Sequence, residues 1–154
     1  MISEIAKKIL YVDMDGVVAD FEAGVRMVNP RVIWNQEDVD DTCEMHPYVF
    51  QLLPEIPGAI SAVNLLKDEY EILFLSTPMC NVPESYTDKR RWLRKKFGEW
   101  VDKRLVLTHR KDLAIGDYLI DDRLKNGSEN FTGELIHFGT EKYPDWDAVL
   151  KYLL

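Results

Sequence analysis

The sequence predicts a three-layer α/β fold on a mainly parallel sheet, and three observations carry that expectation. Short runs of β-type apolar residues alternate along the chain with stretches of helical spacing. The runs are almost continuously apolar, as strands covered on both faces are. Three of them end in polar pairs: Asp13 with Asp15, Ser76 with Thr77, and Asp121 with Asp122. In open α/β sheets ligands bind beyond the carboxyl ends of the strands.

Each element follows in order. Ile9 to Val12 is the first strand, and it runs straight into Asp13-Met14-Asp15-Gly16. Val18 to Val28 fits a helix that Asn29-Pro30 breaks. From there to Leu53 the chain reads as irregular, mixing acids with Trp34, Tyr48 and Phe50. A core helix starts after Pro57, with Ala59, Ile60, Val63 and Leu66 on its apolar side. The gap before it is several times longer than an ordinary βα loop of about 2–6 residues, so it reads as an insertion. The second strand is Tyr70 to Thr77, and the helix Glu84 to Phe97 lies between Pro83 and Gly98. Arg104 to Thr108, Tyr118 to Asp122 and Glu134 to Phe138 are three further strands, and Asp145 to Leu154 closes as a helix. The expected organisation is a core of residues 1–20 and 54–154 with a small cap at 21–53.

Composition narrows the function classes. The chain has 154 residues, 46% of them hydrophobic, enough for one domain with a real core. Its net charge of -8 argues against a nucleic-acid polymer as partner. No apolar run approaches membrane-spanning length and no signal segment is recognisable. Cys43 and Cys80 need not pair, and a reducing, cytoplasmic setting is the simpler expectation. Cys43 and His46 supply too few soft ligands for zinc, and His109 and His137 read as packed side chains. The basic run from Lys89 to Lys96 reads as a solvated helix face, Lys89 excepted.

The acids carry the chemistry. Asp13, Asp121 and Asp122 brought to one sheet edge would repel one another unless a hard cation joined them. Mg²⁺ takes a few carboxylate oxygens together with water and phosphate oxygens. The bland alternative is that each acid caps a helix. A metal beside a phosphoryl group needs an in-line nucleophile, an acid for the leaving oxygen and donors for the remaining oxygens. Asp13 can attack and Asp15 can shuttle the proton. Ser76 or Thr77, Lys89 and the backbone N–H groups of the turn after Asp15 can bind the phosphate, and Lys111 is a candidate second cation.

Asp13-Met14-Asp15-Gly16-Val17 resembles the first motif of the haloacid dehalogenase (HAD) superfamily of phosphohydrolases. A hydroxyl after the second strand, a helix lysine and Gly116 to Asp122 resemble its other motifs. Asp13 to Glu22, Ser76-Thr77-Pro78, Asp88 to Trp92 and Leu119 to Arg123 are similar to the 5′(3′)-deoxyribonucleotidases within it. The resemblance implies Asp13 as nucleophile and Mg²⁺ ligand, and Asp15 as acid/base with its carbonyl on the metal. It implies Ser76 and Thr77 on the phosphate, Ser76 being the better match. Lys89 would bind the phosphate and quiet the nucleophile's charge. Asp122 would ligate the metal, Asp121 would order its waters, and Phe21 would lie against the nucleoside. The implied activity is Mg²⁺-dependent hydrolysis of nucleoside monophosphates, deoxy forms preferred, through an aspartyl phosphate. The alternatives are a phosphatase for a sugar phosphate or similar small phosphomonoester, and a phosphoacceptor signalling domain. The latter is disfavoured because the third strand ends at Leu107-Thr108-His109 without an acid.

Overall fold

A computed structural model describes residues 5–154; residues 1–4, Glu4 among them, lie outside the description. Five strands form one parallel sheet: β1 (Lys8–Val12), β2 (Tyr70–Ser76), β3 (Leu105–Leu107), β4 (Tyr118–Asp121) and β5 (Glu134–His137). Their spatial order is β3-β2-β1-β4-β5. β1 is therefore central, paired in register Val12↔Phe74 on one side and Val12↔Ile120 on the other. That order makes the chain reverse direction beside β1, between its β2 and β4 neighbours, which is where such sheets open a binding crevice.

Alternate residues of each strand enter two cores. Leu10, Val12, Ile72, Phe74, Ile120 and Ile136 meet the helices α3 (Ala59–Leu66), α4 (Glu84–Phe97) and α5 (Trp146–Leu153). Tyr11, Leu75 and Leu119 face the other way and pack with Phe131, Leu135 and Ala114. On this second face the cover comes from the 3-10 turns Lys111–Leu113 and Ser128–Asn130, so the third layer is two turns and not a row of helices. Short connections of this kind let a small chain cover both faces of its sheet.

Helix boundaries follow local chemistry. α1 (Phe21–Val28) starts three residues later than the apolar pattern suggests, because residues 17–19 are used in a turn and the Asp20 side chain caps Ala23 N. The stretch expected to be irregular contains α2 (Gln36–Met45), capped by Asn35 Oδ1 on Asp38 N at 2.8 Å, and the 3-10 turn Val49–Gln51. The β1–α3 connection is thus two helices and a turn. Its turn rests on α4, where Trp92 Nε1 donates to Leu53 O at 2.8 Å. The closing helix is anchored beneath the loop after β1, where Trp146 Nε1 donates to Val17 O at 2.8 Å. Among the described residues, no helix is long and apolar enough to cross a membrane.

Candidate active site

The loop after β1 is wound around one carbonyl. Met14 O accepts the N–H groups of Val17, Val18 and Ala19 at 3.1, 2.9 and 2.9 Å, and Gly16 N donates to Ala19 O. The N–H groups of Gly16 to Ala19, expected to serve a phosphate, are therefore spent inside the loop. The Asp15 carbonyl accepts no hydrogen bond among the described residues. Gly16 sits at φ +81, and a Cβ there would stand 2.0 Å from Asp122 Oδ2. Only glycine lets the β1 loop and the end of β4 approach this closely.

That approach gathers the acids. Asp13, Asp121 and Asp122 each offer an oxygen within 4.8 Å of the others. Asp13 and Asp121 are buried, at 6% and 2% exposure, and Asp122 is half-buried. Lys111 joins them from the turn after β3. Its ammonium donates to Asp13 Oδ1 at 2.9 Å and to Asp121 Oδ2 at 2.7 Å. The second Asp121 oxygen accepts Arg123 N at 3.0 Å. Both Asp121 oxygens thus accept a protein donor, while Asp122 Oδ1 is buried with no partner.

The electrostatics follow from this packing. Burial pushes Asp13 up to about 6, against the pull of Lys111 and with the repulsion of Asp121. Burial, then the Asp13 and Asp121 charges, push Asp122 up to about 8. Desolvation pulls Lys111 down, but the two carboxylates outweigh it and hold its ammonium above the ordinary range. One buried lysine against three carboxylates leaves a deficit of positive charge. An all-oxygen, anionic donor set with an unpartnered buried oxygen is what a hard divalent cation satisfies.

Asp15 points along a separate line. Its Oδ2 accepts the Lys89 ammonium at 2.8 Å and its Oδ1 is buried without a partner. Lys89 is 1% exposed and also lies 5.2 Å over the Phe50 ring. The resemblance implies that Lys89 quiets Asp13; in the structure the Lys89 ammonium meets Asp15 and the Lys111 ammonium meets Asp13. The available signal was general: two buried acids at strand ends require a buried cation, and Lys111 is the lysine in the loop between β3 and β4. Ser76 and Thr77 reach the narrow space beside Asp13, Asp15 and Lys111. The Thr77 hydroxyl donates to Thr108 O at 2.7 Å.

A cleft of about 520 Å³ opens from this cluster. Asp15, Gly16, Thr77 and Asp122 line its core side, and Phe21, Trp34, Phe50 and Met79 line the side formed by the β1–α3 connection and the loop after β2. Phe21 stacks on Phe50 with centroids 5.7 Å apart and planes at 20°, and Trp34 meets Phe21 at 6.1 Å. Among the described residues, no histidine or cysteine side chain joins the acid cluster. His137 Nε2 lies 3.1 Å from Asp122 O, His109 Nε2 lies 3.1 Å from Pro78 O, and both cysteines are free.

Residues 36–144 match the family described as 5′ nucleotidase, deoxy (Pyrimidine), cytosolic type C protein. A protein of Vibrio phage KVP40, assigned as a 5′(3′)-deoxyribonucleotidase, is 41% identical over 96% of this chain and 85% of its own length. The chain belongs to the 5′(3′)-deoxyribonucleotidase family. It is accordingly a HAD-superfamily hydrolase, as its motifs suggested. The human 5′(3′)-deoxyribonucleotidase of cytosolic type is 28% identical over 90% of this chain and 77% of its own length. Among solved structures, a HAD hydrolase of Bacillus subtilis bound to magnesium superposes with a TM-score of 0.63 at 9% identity, covering 92% of each chain. A HAD hydrolase of Geobacter sulfurreducens gives 0.63 at 13% identity, covering 96% of this chain and 97% of its own. These structural likenesses bear on the fold, and they match the five-stranded parallel core.

Proposed function

We propose that this protein is a Mg²⁺-dependent phosphomonoesterase acting on deoxyribonucleoside monophosphates. The observation that carries the proposal is Asp13, buried against Lys111 and the Asp121–Asp122 pair, in a narrow space that shares Asp15 and Thr77 with an aromatic-lined cleft. The names of its relatives support the same substrate class. Asp13, Asp122 and the Asp15 carbonyl would hold the metal, and Asp121, each of whose oxygens already accepts one protein donor, would use its remaining acceptor capacity on the metal's waters. Bound there, Mg²⁺ would polarise the phosphoryl oxygens and offset their charge.

The chain's own groups divide the remaining work. Lys111 occupies Asp13 Oδ1, so Asp13 Oδ2 is the attacking atom. Its attack on phosphorus forms an acyl phosphate and breaks the ester P–O bond. Asp15, through the unpartnered Oδ1, protonates the departing sugar oxygen. The same oxygen then takes a proton from water, which attacks phosphorus, releases phosphate and returns Asp13 as a carboxylate. Lys89 fixes the Asp15 carboxylate and adds positive charge near the phosphate. Ser76 is the better hydroxyl donor, since the Thr77 proton is given to Thr108. The segment 21–53 acts as a cap, its rings Phe21, Phe50 and Trp34 lying where a nucleoside would sit.

Phosphate release from a panel of monophosphates with and without Mg²⁺ tests the reading. Release from deoxynucleotides that exceeds release from sugar phosphates is expected. Activity on sugar phosphates alone would replace this function with the sugar-phosphatase alternative.

A further inference from the structure

The last residue of β5 reaches across to the acid cluster. β4 ends at Asp121, which pairs with His137 in the sheet register, and Phe138 N donates to Asp121 O at 2.9 Å. Asp122 lies one residue beyond the strand. Its carbonyl stands 3.1 Å from His137 Nε2. A carbonyl only accepts, so Nε2 carries the proton and the imidazole donates. The ring thus extends the β4–β5 clasp by one residue, past the end of the backbone ladder. His137 is itself fixed in place. Its backbone belongs to β5, its own carbonyl accepts the Thr140 hydroxyl at 2.7 Å, and its half-buried ring follows Leu135 on the second face of the sheet.

We infer that His137 is a positioning residue for the cation: by holding the Asp122 peptide it aims the Asp122 carboxylate into the acid cluster, and so sets the affinity for Mg²⁺. The inference rests on the metal site of the reading above and adds to it a residue outside every motif that the sequence offered. Two of the three acids are tethered through their side chains. Lys111 donates to Asp13 Oδ1 and to Asp121 Oδ2, and Arg123 N donates to Asp121 Oδ1. Asp122 has no such tether. Its Oδ1 is buried without a partner, and its Oδ2 faces the gap that Gly16 leaves. With the three carboxylates each offering an oxygen within 4.8 Å of the others, repulsion favours turning the least tethered one outwards. A hydrogen bond to the Asp122 carbonyl opposes that motion at its base, because it fixes the peptide from which the side chain springs. Groups that orient a metal ligand from behind account for about 10–100-fold in metal affinity or activity. His137 acts through the peptide and not on the carboxylate itself, so the lower end of that range applies, about tenfold in Mg²⁺ affinity.

The test titrates Mg²⁺ into the metal-free full chain by calorimetry, for wild type, His137→Leu and His137→Gln. Phosphate release from a deoxynucleotide is followed over the same Mg²⁺ range. The glutamine amide carries an N–H where the imidazole carries Nε2–H, whereas leucine fills the space without a donor. His137→Leu is expected to bind Mg²⁺ about tenfold more weakly and to need correspondingly more for turnover, with KM for the deoxynucleotide at saturating Mg²⁺ unchanged. His137→Gln is expected to keep the wild-type affinity. If circular dichroism shows that His137→Leu does not fold, His137→Asn takes its place, since its shorter amide stops short of the Asp122 carbonyl and should weaken Mg²⁺ binding likewise. Wild-type Mg²⁺ affinity in the variant that lacks the donor overturns the inference. Equal losses in that variant and in His137→Gln also overturn it, because the packing of the ring and not its N–H would then matter. A wild-type chain that binds no Mg²⁺ overturns the metal site and this inference with it, whereas Mg²⁺ binding without hydrolysis of any nucleotide defeats the nucleotidase reading alone.

Discussion

Replacing Gly16 by alanine separates backbone strain from damage to the site. At φ +81 an L-residue costs about 1–2 kcal/mol relative to glycine. For a domain of this size that is a fall in melting temperature of about 2–8 °C. The added methyl also falls 2.0 Å from Asp122 Oδ2 and 2.6 Å from its Cγ. The carboxylate must then move by more than about 1 Å, a displacement that costs on the order of a hundredfold in rate at a catalytic centre. Gly139 provides the control. Its φ is +86 and nothing stands within 4 Å of its Cβ position, so Gly139→Ala carries the strain alone. Phosphate release from a deoxynucleotide, titrated with Mg²⁺, and thermal melting are measured on both variants. Both should melt lower by a similar amount, while only Gly16→Ala should lose turnover and require more Mg²⁺. If Gly16→Ala matched Gly139→Ala in activity and Mg²⁺ requirement, the claim that Gly16 exists to admit Asp122 would be refuted.

Four further outcomes are expected. Asp13→Asn should abolish turnover with circular dichroism unchanged; substantial residual activity would show that another group attacks phosphorus. Lys111→Met leaves Asp13 and Asp121 buried without their cation, and loss of one partner of such a pair costs about 3–5 kcal/mol; a melting temperature within a degree of wild type would contradict that pairing. The metal-free protein should lose stability as pH rises from about 4 towards 8. Asp13 and Asp122 have raised pKa values of about 6 and about 8, so the folded state holds more protons than the unfolded state in that window. Mg²⁺ should therefore stabilise more at pH 8 than at pH 5, and a Mg²⁺ effect independent of pH would argue against the acid cluster as its site. Burial, with the charges of Asp15, Asp40 and Glu44, pushes the Cys43 thiol up to about 12, whereas Cys80 is exposed; mass spectrometry after brief alkylation of the native protein should find one adduct, on Cys80.

The sequence by itself determined the parallel α/β core. The strand centres and four of the helices have strong local signals: continuous apolar runs, and caps or breakers at Pro57, Pro83, Gly98 and Asp145. It also determined which acids lie at strand ends, because period and direction place residues 13, 76 and 121 on one edge once the strands are parallel. α2 was illegible for a physical reason. Five of its ten residues are acidic, and its buried positions are Val39, Thr42 and Cys43, so little apolar periodicity remains. It is held by its Asn35 cap and by packing on α1, and the latter is tertiary. The start of α1 was misplaced likewise, since Met14 O takes up residues that would otherwise extend the helix.

The pairing of cations with acids was decided only by the tertiary structure. Lys89 and Lys111 are both buried and both serve carboxylates, yet 74 residues separate Lys89 from Asp15 and 98 separate Lys111 from Asp13. No local pattern encodes such contacts. The crossover of the chain beside β1 sets which lysine meets which acid. It also sets how closely Gly16 admits Asp122, and so the shape of the site in which these residues act.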